Sequence, residues 1–585
     1  MGAAESKLDA TSHKEPASDL VSPRRSKRKP SNVRPFTMQN HTAMDGLGER
    51  SRSELSASLQ NPARPAKYAQ DREQLLTQEK AVAWDTPARS RASPIELRAS
   101  RIVRNICEDE RSGPLFGELP GEEEPAGKRD MGGRFLKNRE WIQRSKVFAI
   151  ADMAPKGAHL HLHFNSELPP EDLLDFARTH PDLKDTLVIR STRPLRNAND
   201  FTQAEIVFSV LPRGTPCGNV FSADYEPDFK KAQSKAWMRW SDFRQALEST
   251  PEELQRSICT EKSGPEFQRS GLEPEESGPK QIELDLAEMW VREKMIITQR
   301  LKYERATTHN HMWACFNQGT RAFKGLLNYE SVYRWYIGHM IQSMINQHVM
   351  YAELRPMLMD KTIPSDDGTR QLNHKEQMDI IVDEVRKKQN ELRAKGELDN
   401  FPFGLKIIYC APRSIPKARM ETELADCIKL KLQHPDLICG FDLVGAEDRP
   451  NNVGFYADLL LAFTDACGRL GIHIPFMFHA GETLLDRGGS DNPDNSNLYD
   501  ALLLNAVRIG HGYSLTKHPM LIERYKQQNI ALELCPISNE LLNLCGNARE
   551  HPYPALLAAG LHCTLNADNP ALFRYVSHTI VSFPL

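Results

Sequence analysis

From residue 348 onward the chain repeats one pattern, an apolar run of strand length followed by an amphipathic stretch with helical spacing. The runs are VMYAELRP, GLKIIYCAP, LICGFDLVG, HIPFMFHAG, AVRIGHG, IALELCP and LHCTLNADNP, and segments such as METELADCIKLKLQH and YADLLLAFTDACGRLG lie between them. Strands that alternate with helices make parallel β/α units, because a parallel neighbour is reached only through a crossover connection. An earlier stretch, GAHLHLHF, supplies an eighth strand. Eight near-continuous apolar strands, buried on both faces, predict an α/β fold closed into a (β/α)8 TIM barrel.

Composition narrows the function classes. Over 585 residues the net charge is −3, so the global basic excess of a nucleic-acid binder is missing. No apolar run approaches the ~20 residues of a transmembrane helix. Eleven cysteines without CxxC pairs are an odd number, which argues against a fully paired disulfide framework. Cys410, Cys439, Cys535 and Cys563 fall in strand-like runs and read as buried thiols of a reducing compartment. The opening MGAAESKLDATSHKEP has no apolar core, so no secretory signal is predicted and the expected location is cytoplasmic.

Three regions follow from the patterning. Residues 1–70, rich in Ser, Pro, Lys and Arg, read as a disordered basic tail. Within it MGAAES fits a myristoylation pattern and RRSKRKP (Arg24 to Pro30) a nuclear localisation patch, although a solvated tail explains both. Residues 71–150 read as a helical extension, broken near Pro87 and Pro94. Residues 151–585 hold the barrel, with an insertion over about 165–345 after the first strand. The insertion carries two further strand candidates, TLVIRS and AEIVFSVLP, a helical stretch around Trp237 to Leu247, the breaker-rich TEKSGPEFQRSGLEPEESGPK, and long helices over 281–347.

The ionisable residues sit where such barrels carry chemistry, at the C-terminal ends of the strands. His161 and His163 end the first strand, with His159 on the same face. His479 and Glu482 (HAGE) follow the fifth, His511 (GHG) the sixth, and Asp568 (NADNP) the eighth. An isolated strand-end histidine is usually structural. Convergence from four strands onto one barrel mouth points instead to a metal site, and three imidazoles with one carboxylate suit zinc while leaving room for water.

PKGAHLHLHF, HAGET, RIGHGYSL, ELCPISNELL and LNADNPALF resemble, in this order, the signatures of the adenosine deaminase family. HAGET, and CPISN followed by an HP…LL…G spacing, are most similar to its branch of adenosine deaminase-related growth factors. The resemblance runs from about Met131 to Phe573 and implies a metal-dependent hydrolase barrel. It implies one Zn2+ per chain on His161, His163, His479 and Asp568, with His159 structural. It further implies that His511 orients water and takes its proton, that Glu482 protonates purine N1, and that the Gly445 backbone contacts purine N3. The implied reaction is hydrolytic deamination of adenosine to inosine and ammonia, with 2′-deoxyadenosine left open. Two alternatives stand beside it: a deaminase of another 6-aminopurine nucleoside, and a catalytically weak growth-factor-like binding protein. Two positions depart from the family pattern. Asn569 replaces an aspartate that contacts purine N7, and Asn165 replaces one that holds the ribose. The expected partner is a small-molecule purine nucleoside. A homodimer and secretion are further options that the branch supplies. Relatives continue through helices beyond the eighth strand, so the ending RYVSHTIVSFPL reads as a truncated C-terminus.

Overall fold

The computed structural model describes residues 41–117, 130–228, 233–258, 282–305, 308–448, 451–489 and 495–575. The Gly2 and Arg24–Pro30 signals, and the breaker-rich stretch Thr260–Lys280, lie outside the described residues. The chain divides into two units, Met1–Val82 and Ala83–Leu585.

In the first unit two helices, His41–Leu59 and Ala63–Val82, stand where the sequence reading expects a disordered tail as far as residue 70. The correction has a local cause. From residue 63 the stretch is dense in Ala, Leu, Glu, Gln, Lys and Arg, all strong helix formers. Lys67 also pairs with Asp71 one turn on, at 2.8 Å. Every side chain described from residue 48 to 82 is exposed, so local propensity rather than a core holds these helices.

The second unit is built on eight parallel strands: β1 (Gly157–His163), β2 (Val349–Arg355), β3 (Leu405–Pro412), β4 (Ile438–Val444), β5 (Met477–Ala480), β6 (Arg508–His511), β7 (Ala531–Leu534) and β8 (Cys563–Leu565). β1 to β4 pair in order as one parallel sheet and β5 to β8 as a second. Both seams are closed. Phe441 of β4 bridges Phe476 just before β5, and the Phe441 N–H donates to the Pro475 carbonyl at 3.0 Å. At the other seam the His163 N–H donates to the Asp568 carbonyl (2.9 Å) and the Asp568 N–H to the His161 carbonyl (3.0 Å). The predicted barrel is therefore present, with each strand in its predicted run. Leu162, Ile407, Tyr409, Phe441, Phe478, Ile509 and Leu532 are fully buried in it.

The connecting helices bury one face each. Helix Lys417–Gln433 packs Met420, Leu424, Cys427 and Leu430 inward at the spacing of successive turns. Before β1 the chain makes helices Thr86–Arg91, Pro94–Ser112, Phe135–Gln143 and Lys146–Met153. Pro87 and Pro94 both fall in first-turn positions, where a missing N–H costs nothing, and Ser93 caps the second helix in a box with Glu96.

The insertion between β1 and β2 forms its own layer. Strands Leu187–Ser191 and Ile206–Val210, both legible in the sequence, pair antiparallel, and the two-residue strand Met238–Arg239 joins them. Helix His309–Leu327 lies against this sheet so closely that a Cβ at Gly325 would fall 2.8 Å from the Phe208 nitrogen. Helix Glu330–Asn346 then leads into β2. At the far end only Arg574 and Tyr575 of RYVSHTIVSFPL are described, and Tyr575 packs edge-on against Phe135 with ring centroids 5.7 Å apart. Among the described residues no helix is long and apolar enough to cross a membrane.

Candidate active site

The strand ends bring the predicted metal ligands together. Ligand nitrogens of His161, His163 and His479 all lie within 4.8 Å of one another. Asp568 Oδ1 stands 3.2 Å from His163 Nε2 and 3.6 Å from His161 Nε2. His161 Nε2 is buried without a hydrogen-bond partner, a state that a bound cation would relieve. The donor set of three imidazoles and one carboxylate fits such an ion. His159 is buried lower on β1 and belongs to neither of the two His/Cys groupings with metal spacing. Cys535, one of four cysteines read as buried thiols, lies beside His161 and His511. Cys410 is buried as expected, whereas Cys439 and Cys563 are only half-buried.

Local backbone geometry is specialised here. His511 and Asp568 adopt left-handed conformations, with φ of +64° and +60°. Non-glycine residues seldom hold that region unless their surroundings impose it, and they concentrate at functional sites. Gly510 is needed for space: a Cβ there would lie 2.8 Å from His161 Cε1.

Two carboxylates set the histidines' tautomers. Glu533 Oε2 lies 2.8 Å from His161 Nδ1, and Asp442 Oδ2 lies 2.7 Å from His479 Nδ1. Each Nδ1–H donates to its carboxylate, which leaves Nε2 with a free lone pair for a cation. Arg355 joins the two arms. Its Nε donates to Asp442 (2.8 Å), one Nη to Glu533 (2.7 Å) and the other to the Leu160 carbonyl (2.8 Å). Against the upward push of burial, His479 and Arg355 hold the Asp442 carboxyl well below the usual range. Burial, then Arg355 and the neighbouring imidazoles, hold His161 well below an ordinary histidine, in the neutral form a ligand requires.

Glu482 follows β5 on a loop clamped by Glu447. The N–H groups of Gly481 and Glu482 donate to the two Glu447 oxygens at 2.9 and 2.8 Å, and the Asn497 amide adds a third bond at 2.8 Å. Burial first, then the nearby Asp568 and Glu447 carboxylates, push the Glu482 carboxyl well above its ordinary range. Burial thus favours its protonated form, and its Oε1 lies 3.3 Å from His511 Nδ1.

His163, His479, Glu482, His511 and Asp568 open into one cavity of about 360 Å³. Gly445, at φ +104°, Asn165 and Asn569 also line it. A Cβ at Gly445 would meet nothing nearer than Arg413 Cγ at 4.0 Å, so the backbone conformation rather than space calls for glycine. Asn569 is already engaged: its oxygen accepts from Ser166 Oγ (2.6 Å) and its amide donates to Asp568 Oδ1 (2.7 Å). Asn165 donates to the Thr320 carbonyl at 3.2 Å. The sequence reading missed the cavity's outer wall, where Trp313, Phe316, Thr320 and Lys324 stand on one face of helix His309–Leu327. It also missed Arg355, Asp442 and Glu533, whose available signal was a charge inside an otherwise apolar strand.

Glu167, just beyond β1, carries an oxygen that is buried with no partner, and burial followed by Asp568 raises its carboxyl to about 8. The folded protein therefore keeps a proton that the unfolded chain releases above about 4.5, and stability declines as pH rises between those values. Glu167→Gln should melt like the wild type at pH 5 and be more stable at pH 9 by about 1–3 kcal/mol. Thermal melts at the two pH values check this, and equal melting at pH 9 would contradict it.

Comparison with known proteins finds similarity to adenosine deaminases. The family model described as adenosine deaminase matches residues 299–579. Human adenosine deaminase 2 is 28% identical over 440 residues, covering 75% of this chain and 71% of the relative. Adenosine deaminase 2-A of Danio rerio is 27% identical over 490 residues, covering 83% and 82%. An adenosine deaminase of Lutzomyia longipalpis is 36% identical over 256 residues, covering 43% and 45%. With its signature motifs gathered at one barrel mouth, the chain is similar to adenosine deaminases, both to that family's model over residues 299–579 and to relatives of the adenosine deaminase 2 type over most of its length.

Proposed function

We propose that the protein is a zinc-dependent aminohydrolase that converts adenosine to inosine and ammonia, with 2′-deoxyadenosine as a second substrate. The observation that carries this reading is a buried Glu482, its carboxyl pushed upward by burial, sharing one cavity with His163, His479 and Asp568 of a three-histidine, one-aspartate cluster. His161, His163, His479 and Asp568 would hold the ion. Zinc, when bound, supplies a Lewis acid that makes water nucleophilic near neutral pH.

The chain's own residues do the rest. The purine enters a slot walled by Phe164, Trp313 and Phe316, which exclude water and favour a flat ring. The Gly445 backbone meets purine N3. Glu482 gives its proton to purine N1, which draws electrons from C6 and makes that carbon electrophilic. His511 orients the attacking water. Oxygen adds to C6; one of the water's protons passes to the amino group, which leaves as ammonia, the other returns to the Glu482 carboxylate, and the ring keeps a C6 carbonyl with the proton on N1. Asn569 retains one amide hydrogen beyond the one it gives Asp568, and that hydrogen can meet purine N7. The ten cysteines among the described residues are free thiols, which supports the proposed reducing, cytoplasmic location.

Ammonia release across a panel of 6-aminopurine nucleosides tests the reading. Adenosine should be turned over, dialysis against a chelator should abolish release, and added zinc should restore it. Nucleoside binding without release by zinc-loaded protein would favour the growth-factor-like binder instead.

A further inference from the structure

A chain of buried hydrogen bonds leads away from His511. Its Nδ1 lies 3.0 Å from the side-chain nitrogen of Asn539, on the helix Pro536–Leu541 that follows β7. The Asn539 oxygen lies 2.9 Å from His551 Nε2, and His551 Nδ1 lies 3.1 Å from the backbone nitrogen of Tyr553. Asn539, His511 and His551 are all at most 2% exposed, so water does not compete for these bonds.

The direction of the chain is set at its far end. A backbone N–H can only donate, so His551 Nδ1 is an acceptor. Burial lowers His551 to about 3, which keeps the ring neutral with its single proton on Nε2. That proton goes to the Asn539 oxygen. The Asn539 amide must then present N–H to His511, whose Nδ1 accepts. The usual ambiguity of an amide's orientation is thereby removed by a main-chain atom. Neutral His511 then carries its proton on Nε2, since Nδ1 accepts from Asn539 and also has Glu482 Oε1 at 3.3 Å.

We propose that Asn539 and His551 are positioning residues that fix His511 in the Nε2-protonated tautomer, so that it holds the attacking water as a hydrogen-bond donor. This rests on the aminohydrolase reading and refines it. The sequence reading has His511 take a proton from water, whereas a ring locked in this tautomer has no lone pair at Nε2 to receive one. A donor at that place steadies negative charge developing on the attacking oxygen.

The test uses zinc-loaded, full-length protein with 15N-labelled histidine. Long-range 1H–15N spectra should show His511 protonated at Nε2 and bare at Nδ1. In Asn539→Asp a carboxylate, which can only accept, should draw the proton to Nδ1. That variant should lose roughly 10- to 100-fold in kcat with KM and zinc content unchanged. His551→Leu, which ends the chain, should lose a similar factor, and His551→Gln, whose amide N–H can replace Nε2–H, should regain most of it. Protonated Nδ1 in the wild type, or full kcat in His551→Leu, overturns the proposal. The spectra need no turnover. An inactive wild type with the predicted spectrum would therefore sink the aminohydrolase reading and leave the tautomer standing.

Discussion

Replacing Glu482 by glutamine should cut ammonia release by roughly 10²- to 10⁴-fold while the protein still binds one zinc ion per chain. The two side chains match in shape, and Glu482 lies outside the proposed ligand set. The loop that carries it is held by backbone N–H groups on Glu447, which the substitution leaves in place. What disappears is a transferable proton. Burial and the adjacent Asp568 and Glu447 carboxylates favour the protonated form of Glu482, and an amide has no such proton to give purine N1. The loss should fall on kcat. Zinc measured by elemental analysis alongside steady-state kinetics decides the matter, and a variant with wild-type turnover would remove Glu482 as the proton donor.

The largest effect on stability should come from Arg355→Met. Arg355, Asp442 and Glu533 are buried together, and the guanidinium spans both carboxylates. Without it two carboxylates stay in the barrel interior. Glu533 keeps Arg508, whose Nε lies 2.6 Å from Oε1, but Asp442 keeps only His479. Breaking a buried ion pair by removing one partner costs about 3–5 kcal/mol. Zinc affinity should fall as well, by about 10- to 100-fold, because both carboxylates aim metal-ligand histidines. Lysine should not rescue either property, since a single ammonium cannot span the fork. Thermal melts with and without zinc measure both effects, and an unchanged melting temperature in the apo protein would refute the structural part.

The barrel was legible because strands covered on both faces must be apolar almost throughout, and helices between them bury a stripe at a 3.6-residue period. Six candidate site residues were legible because ionisable groups from four strand ends converge on one barrel mouth. What stayed hidden depends on partners. Asp442 and Glu533 each sit in an apolar run, and nothing in either run says that an arginine from β2 lies between them. Asn569 was visible as a departure from the family pattern. Its bonds to Ser166 and Asp568 were not, because Ser166 reaches it only when β1 and β8 meet at the seam. The strand Met238–Arg239 is too short to register as a pattern. The helices from residue 41 were hidden by a composition whose overall polarity reads as tail.

The reaction chamber has two walls of different ancestry in the chain. Strand tips make the inner one, and helix His309–Leu327 from the inserted layer, with Tyr333 and the stretch after β2, makes the outer. The inner wall tolerates little, because its histidines, carboxylates and left-handed residues constrain one another. None of Trp313, Phe316, Thr320 and Lys324 belongs to the proposed ligand set: Thr320 accepts from Asn165 through its backbone carbonyl, and Lys324 pairs with Asp360 at 2.7 Å. Substitutions on one face of that helix can then reshape what the cavity admits while leaving the proposed metal ligands and proton donor in place.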